Sequence, residues 1–120
     1  IKYRCKRFTR NDIGKMIKYI DLFAGLGGIR LGFTQAAEEL NLQTECVLTS
    51  EIKPSAIKAM QYNFKDEKIS KVDITKIKAE DIPTFNILLG GFPCQAFSFA
   101  GKQMGMCDTR GTLFFEIQWL

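Results

Sequence analysis

The chain contains no histidine. That removes the commonest general base and the commonest zinc ligand, so neither a Cys-His dyad nor a histidine-bearing metal site can be built from these 120 residues. Any cysteine chemistry must be activated without an imidazole. No apolar run approaches the ~20 residues that cross a bilayer, which excludes a transmembrane helix within this sequence. The opening "IKYRCKRFTRNDIGK" lacks the continuous apolar core of a secretory signal. The four cysteines (Cys5, Cys46, Cys94 and Cys107) include no CxxC pair, and a chain with 46% hydrophobic residues does not need disulfides to fold. The expectation is an intracellular, cytoplasmic protein with no membrane partner.

Charge is unevenly placed. Residues 1–20 carry seven basic side chains and one acid, whereas the remaining hundred carry ten basic and twelve acidic ones. The net charge of +4 therefore belongs to the amino-terminal segment. That segment could touch phosphate, but a solvated extension is the plainer reading. Met16 reads as a natural start, which divides the chain into a basic extension over 1–15 and one small domain over 16–120.

Apolar patterning gives strands alternating with helices. "MIKYIDLF" (16–23) reads as a first strand and runs into the glycine-rich "AGLGG". Ile29, Phe33, Ala36 and Leu40 then recur at helical spacing, with Asn41 as a cap. "TECVLTS" (44–50) reads as a second strand. Pro54 opens a second helix with Ile57, Met60 and Phe64 on one face. "KISKVDI" (68–74) holds a weaker third strand, and "FNILLGG" (85–91) a buried fourth. A long loop and a closing helix from about Thr112 complete the pattern. This alternation predicts an α/β fold: a parallel sheet with flanking helices, wound in right-handed βαβ units. Ligands bind such sheets at the carboxyl ends of the strands, near the switch point. The segments "FAGLGG", "SEI", "DI" and "GGFPCQ" all fall there.

In "DLFAGLGG" the glycines permit a sharp turn and close approach of backbone to ligand. A dinucleotide GxGxxG beginning at Gly25 fails at Arg30, which weakens an NAD-dependent oxidoreductase reading. Glu51, at the end of the second strand, can accept from ribose hydroxyls, or can be an ordinary strand-end glutamate. Ile52 can pack on a purine or in the core. Asp73 can accept from an exocyclic amine, or cap the turn that follows it. A glycine loop with two strand-end carboxylates suits an adenosine-containing cofactor. Cys94, in "GGFPCQAFSFAGK", sits in a loop past an apolar strand, where a packing cysteine has little reason to be.

The segments "IDLFAGLGGIRLGF", "SEIKPSAIKAMQYNF", "DIT" and "LLGGFPCQAFSFAGK…DTRGTLFFEI" resemble, in order, the first five motifs of the cytosine-C5 DNA methyltransferases, and most closely the wording of bacterial restriction-modification enzymes. The resemblance implies a Rossmann-like S-adenosylmethionine-dependent methyltransferase fold, with S-adenosylhomocysteine as product. It places Phe23, Gly25, Leu26 and Gly27 along the cofactor, Glu51 on its ribose, and Ile52 against adenine. Asp73 and Ile74 would contact the amino edge, with Pro93 beside the pocket and Leu113 closing it. Cys94 matches the nucleophile. Gln95, Ser98, Lys102 and Arg110 match positions that contact double-stranded DNA around a flipped cytosine, and a nucleoid-associated location follows.

The chemistry accounts for the thiol. Cytosine C5 is a weak nucleophile until a thiolate adds to C6, and a thiol of pKa about 8.5 already provides some thiolate at neutral pH. C6 is inaccessible within a stacked duplex, so the base must flip out. Pro93 stiffens the approach to Cys94. Cys5, Cys46 and Cys107 carry no such pattern.

The family's next motif, Glu-Asn-Val, does not occur in the sequence. Glu116 falls within the predicted closing helix and does not replace it. The expected sheet is thus truncated after about four strands, and turnover by this chain alone is not expected. An open sheet edge predicts pairing with a missing carboxyl-terminal half, or self-association. Alternative readings are a non-catalytic S-adenosylmethionine-binding fragment, one subunit of a split enzyme, or an RNA cytosine-C5 methyltransferase.

Overall fold

A computed structural model describes residues 14–65, 69–70 and 73–91. The elements run β1 (Ile17–Leu22), α1 (Gly28–Glu39), β2 (Thr44–Ser50), α2 (Pro54–Asn63), β3 (Ile69–Ser70) and β4 (Ile87–Gly90). Two short 3-10 turns, Ile74–Lys76 and Ala79–Asp81, lie between β3 and β4. The strands form one sheet in the order β3-β2-β1-β4, and every pairing is parallel. The connection from β1 leads away to β2 while β4 lies on the other flank, so the switch point falls between β1 and β4. The expected parallel α/β sheet is the one observed.

β1 is central and its side chains divide between two faces. Ile20 and Leu22 join Ile74 in a buried cluster, against which Phe23, Val47, Leu48, Ile82, Phe85 and Leu88 pack. Tyr19 and Asp21 alternate with them and are equally buried. Tyr19 meets Phe33 of α1 edge-on, with ring centroids 4.9 Å apart. Pairing with β2 skips Val47, since Tyr19 opposes Cys46 and Ile20 opposes Leu48. Beyond this bulge Thr49 and Ser50, on opposite faces, are both buried at the end of β2, just before Glu51.

The helix ends follow local chemistry. α1 closes in a Schellman arrangement: Leu42 N–H donates to Ala37 O (2.8 Å) and Asn41 N–H to Glu38 O (2.9 Å). Asn41 takes φ of 54°, the left-handed cap its sequence position predicted. Pro54 occupies the first turn of α2, where its missing N–H costs no hydrogen bond. Ala56, Ile57 and Met60 are buried, and Phe64 is the residue that caps α2.

Three expectations change. The buried stripe of α1 is Arg30 and Ala37, with Phe33 half-buried, whereas Ile29, Ala36 and Leu40 are exposed. The stripe is displaced because Arg30 buries its cation against aromatic rings. Asp73, expected to end the third strand, is instead the first residue of a turn, while the residues on either side of β3 lie outside those described. β4 is half-buried rather than enclosed, since among the described residues only β1 flanks it. The expected loop and closing helix beyond Gly91 lie outside the described residues, as does the basic extension up to residue 13.

Candidate cofactor site

Parallel strands bring the connections after β1, β2 and β4 to one edge of the sheet. After β1 the chain turns within residues 23–27. Phe23, Gly25 and Gly27 have φ of 55°, 56° and 83°, all left-handed. For Phe23 that conformation costs about 1–2 kcal/mol, which the packing of its ring on the core offsets. Ala24 N–H donates to Ser50 O, and Gly27 N–H to Ala24 O at 2.8 Å. Leu26, at the tip, is 64% exposed.

Glu51 ties this turn to the next connection. One carboxylate oxygen accepts from the Gly25 amide at 2.7 Å. The other accepts from the amides of Ile52 and Lys53 at 2.8 and 2.9 Å. A carboxylate offers about four acceptor positions, so these bonds leave one, on the oxygen facing Gly25. The strand-end glutamate is therefore a bridge between two loops 26 residues apart. Ile52 beside it is 61% exposed and is not a core residue.

Asp73 does cap a turn, as its sequence position allowed. Its Oδ1 accepts from both the amide and the hydroxyl of Thr75, at 3.0 and 2.9 Å. The amide bond, and next the hydroxyl bond, hold its pKa below the ordinary aspartate value. Ile74 is buried in the core cluster, so any ligand contact at this position falls to its main chain. Pro93, Cys94, Gln95, Ser98, Lys102, Arg110 and Leu113 lie outside the described residues. Gly91, the last described residue, lies at this edge: a Cβ on it would stand 3.1 Å from Ile29 Cδ1, at the start of α1.

Two residues near the turn, Asp21 and Arg30, are not singled out as site residues by motif. Asp21, on β1, is 1% exposed, and its Oδ2 has no hydrogen-bond partner among the described residues. Burial raises its pKa to about 6, Arg30 opposes the rise, and Glu51 adds to it. Arg30 lies with its guanidinium carbon 4.3 Å from the Phe64 ring centroid and 5.9 Å from that of Tyr19. An aspartate inside an otherwise apolar strand was the available signal for the first. The sequence presents Arg30 only as the residue that interrupts a glycine pattern. Among the described residues no group of three or more His, Cys, Asp or Glu side chains is placed to hold a metal. None of the described helices is long and apolar enough to cross a membrane.

The family model for C-5 cytosine-specific DNA methylase matches residues 17–119. The Type II methyltransferase M.NgoBV of Neisseria gonorrhoeae is 58% identical over 103 residues, covering 86% of this chain and 24% of the relative. M.HgiCI of Herpetosiphon aurantiacus is also 58% identical, over the same shares of the two chains. The chain thus spans about a quarter of the length of these relatives. Among solved structures, a Spodoptera frugiperda DNMT2 mutant superimposes with a TM-score of 0.61 at 25% identity, covering 84% of this chain and 30% of that one. A match across nearly the whole of the described sheet, together with the glycine turn at its carboxyl edge, places the chain in the C-5 cytosine-specific DNA methylase family.

Proposed function

We propose that this chain is the cofactor-binding and nucleophile-bearing part of a bacterial DNA (cytosine-5-)-methyltransferase, working with S-adenosylmethionine in the cytoplasm. The Glu51 bridge carries the reading. It fixes the glycine turn and the start of α2 around one carboxylate at the sheet's switch edge.

The residues present fit an adenosine-containing group. Glu51 keeps one acceptor position for a ribose hydroxyl. Ile52 and Leu26 offer exposed apolar surface to a flat ring, and a Cβ on Gly28 would meet nothing within 4 Å. The bonds to Asp73 fall on Oδ1, which leaves Oδ2 to accept from an amine. S-adenosylmethionine, when bound, supplies an electrophilic methyl group.

Cys94 is assigned from sequence. As thiolate it adds to C6 of a cytosine turned out of the duplex, which makes C5 nucleophilic. Once C5 is methylated, loss of the C5 proton breaks the sulfur–C6 bond and regenerates the thiolate. Gln95, Ser98, Lys102 and Arg110 contact the DNA around that base. Pro93 and Leu113 border the cofactor.

The first test is calorimetric titration of the chain with S-adenosylmethionine, with NAD in parallel. Binding of the former alone is expected, and binding of NAD instead overturns the reading. For Cys94, the chain fused to the remainder of a Type II relative should form a covalent adduct on 5-fluorocytosine DNA. An adduct that survives Cys94→Ser sinks the assignment. For the chain alone the expected outcome is cofactor binding without turnover, because its sequence contains no Glu-Asn-Val motif.

A further inference from the structure

We infer that Phe64 and Arg30 are positioning residues for the cofactor turn. The Phe64 ring, with the Arg30 guanidinium stacked on it, is a buttress that holds the left-handed bend at Gly27. The inference rests on the cofactor reading above.

Gly27 belongs to a ligand-facing loop, yet it is buried. What buries it is Phe64: a Cβ at Gly27 would lie 2.5 Å from Phe64 Cε2 and 3.1 Å from Cζ. Glycine is thus required twice here. Its φ of 83° disfavours any side chain, and the ring occupies the place where a Cβ would stand. By contrast Gly28 and Gly32 have nothing within 4 Å of that position.

The ring is itself held. Phe64 caps α2, and its N–H donates to Met60 O at 2.7 Å. Arg30, 2% exposed, stacks 4.3 Å from the ring centroid and belongs to the first turn of α1, immediately after the bend. A planar guanidinium desolvated against an aromatic face is a directional contact, unlike aliphatic packing.

Both ends of α2 therefore reach the same turn. At its start, Glu51 accepts from the amides of Ile52 and Lys53 and, across the edge, from Gly25. At its end, Phe64 packs on Gly27. Alternate residues of the glycine turn are fixed by opposite ends of one helix, so α2 acts as a strut. A site that must approach a ligand with bare backbone gains from such support, because its own glycines supply none.

The test uses the full chain and three readouts. The Gly27 α-hydrogen that points at the ring should carry a ring-current shift, which Phe64→Leu abolishes. Phe64→Leu should also speed hydrogen exchange at the Gly25, Gly27 and Leu31 amides by about fivefold or more, as expected for contacting residues, with β1 amides unchanged. S-adenosylmethionine binding, followed by calorimetry, should weaken by at least a similar factor. Arg30→Lys keeps the charge without the flat face and should move all three readouts less, in the same direction. It also serves if Phe64→Leu does not fold. In a Phe64→Ala background, Gly27→Ala should cost less than it does in the parent chain.

Equal acceleration at loop and strand amides would reduce Phe64 to general core packing and overturn the inference. So would parent-like cofactor affinity in Phe64→Leu or, failing its folding, in Arg30→Lys. A parent chain that binds no S-adenosylmethionine overturns the cofactor reading and the role built on it. Loop exchange then still reports whether the buttress exists, which separates the two failures.

Discussion

The connections after β2 and β3 each present a carboxylate, and the two differ in reach. Glu51 accepts from three amides, one of them 26 residues away, and so joins two loops. Asp73 accepts twice from Thr75, two residues on, and organises only its own turn. Their sequence contexts look alike, since each follows a short β-rich segment. The difference arises from the sheet order, which puts β2 beside β1 and its glycine turn, and β3 one strand further out. Position in the sheet, more than residue type, makes one carboxylate architectural and the other local.

Removing Glu51 should give the largest effect. Glu51→Ala strips the acceptor from three amides at once and removes the proposed ribose contact. Cofactor affinity should fall by about 1.5–3 kcal/mol, the range for hydrogen bonds to a charged group. Exchange at the Gly25 amide should quicken in parallel. Affinity unchanged in a folded Glu51→Ala chain would show that the bridge is structural only, and would collapse the contrast with Asp73 as far as binding is concerned.

Asp21 sharpens the contrast because it neither bridges nor caps. Its folded pKa of about 6 lies above the unfolded aspartate value near 3.8. The folded state therefore holds the proton more tightly. The stabilisation from that proton is complete below the unfolded value and is lost as pH rises through about 6. Above that pH an ionised carboxylate is buried at a cost on the order of 2–3 kcal/mol. Asp21→Asn should accordingly stabilise the chain by about 2 kcal/mol at pH 7 and leave it nearly unchanged at pH 4, as read by denaturant unfolding. A chain less stable at pH 7 after that substitution would mean that the attraction of Arg30 outweighs the burial.

Much of this arrangement was legible in the sequence, for identifiable reasons. β2 is a run of β-formers between breakers, and its observed limits match the expected ones residue for residue. Pro54 and Asn41 mark helix ends because each is tied to a backbone conformation that few other residues adopt so readily. The glycine turn and Glu51 were found as site candidates by spacing. What spacing could not supply was the phase of α1. Arg30 counts as polar in any periodic scheme, yet two aromatic rings from distant segments make its burial favourable. Phe64 looked like one more position on an apolar helical face. Its contact with Gly27 depends on tertiary placement across 37 residues, which no local pattern encodes.

The smallest effect belongs to Asp73. Asp73→Ala removes the acceptor for Thr75 and should cost about 0.5–1 kcal/mol, the lower range for lost caps, because the turn is a single short one. Its pKa is depressed, so its contribution is present above the unfolded value and disappears as pH falls through the lower folded one. The effect of Asp73→Ala on stability should therefore vanish in acid, as that of Asp21→Asn does, but the two have opposite signs at neutral pH: the first destabilises and the second stabilises. Asp73→Asn separates cap from ligand contact. An asparagine retains an acceptor for the Thr75 amide and so should keep most of the stability. It offers an amide donor or a neutral oxygen where the proposed contact needs an acceptor for an amine. If stability holds and S-adenosylmethionine affinity falls, Asp73 serves both the turn and the cofactor. If both hold, its reach ends at Thr75, and of the two carboxylates only Glu51 belongs to the site.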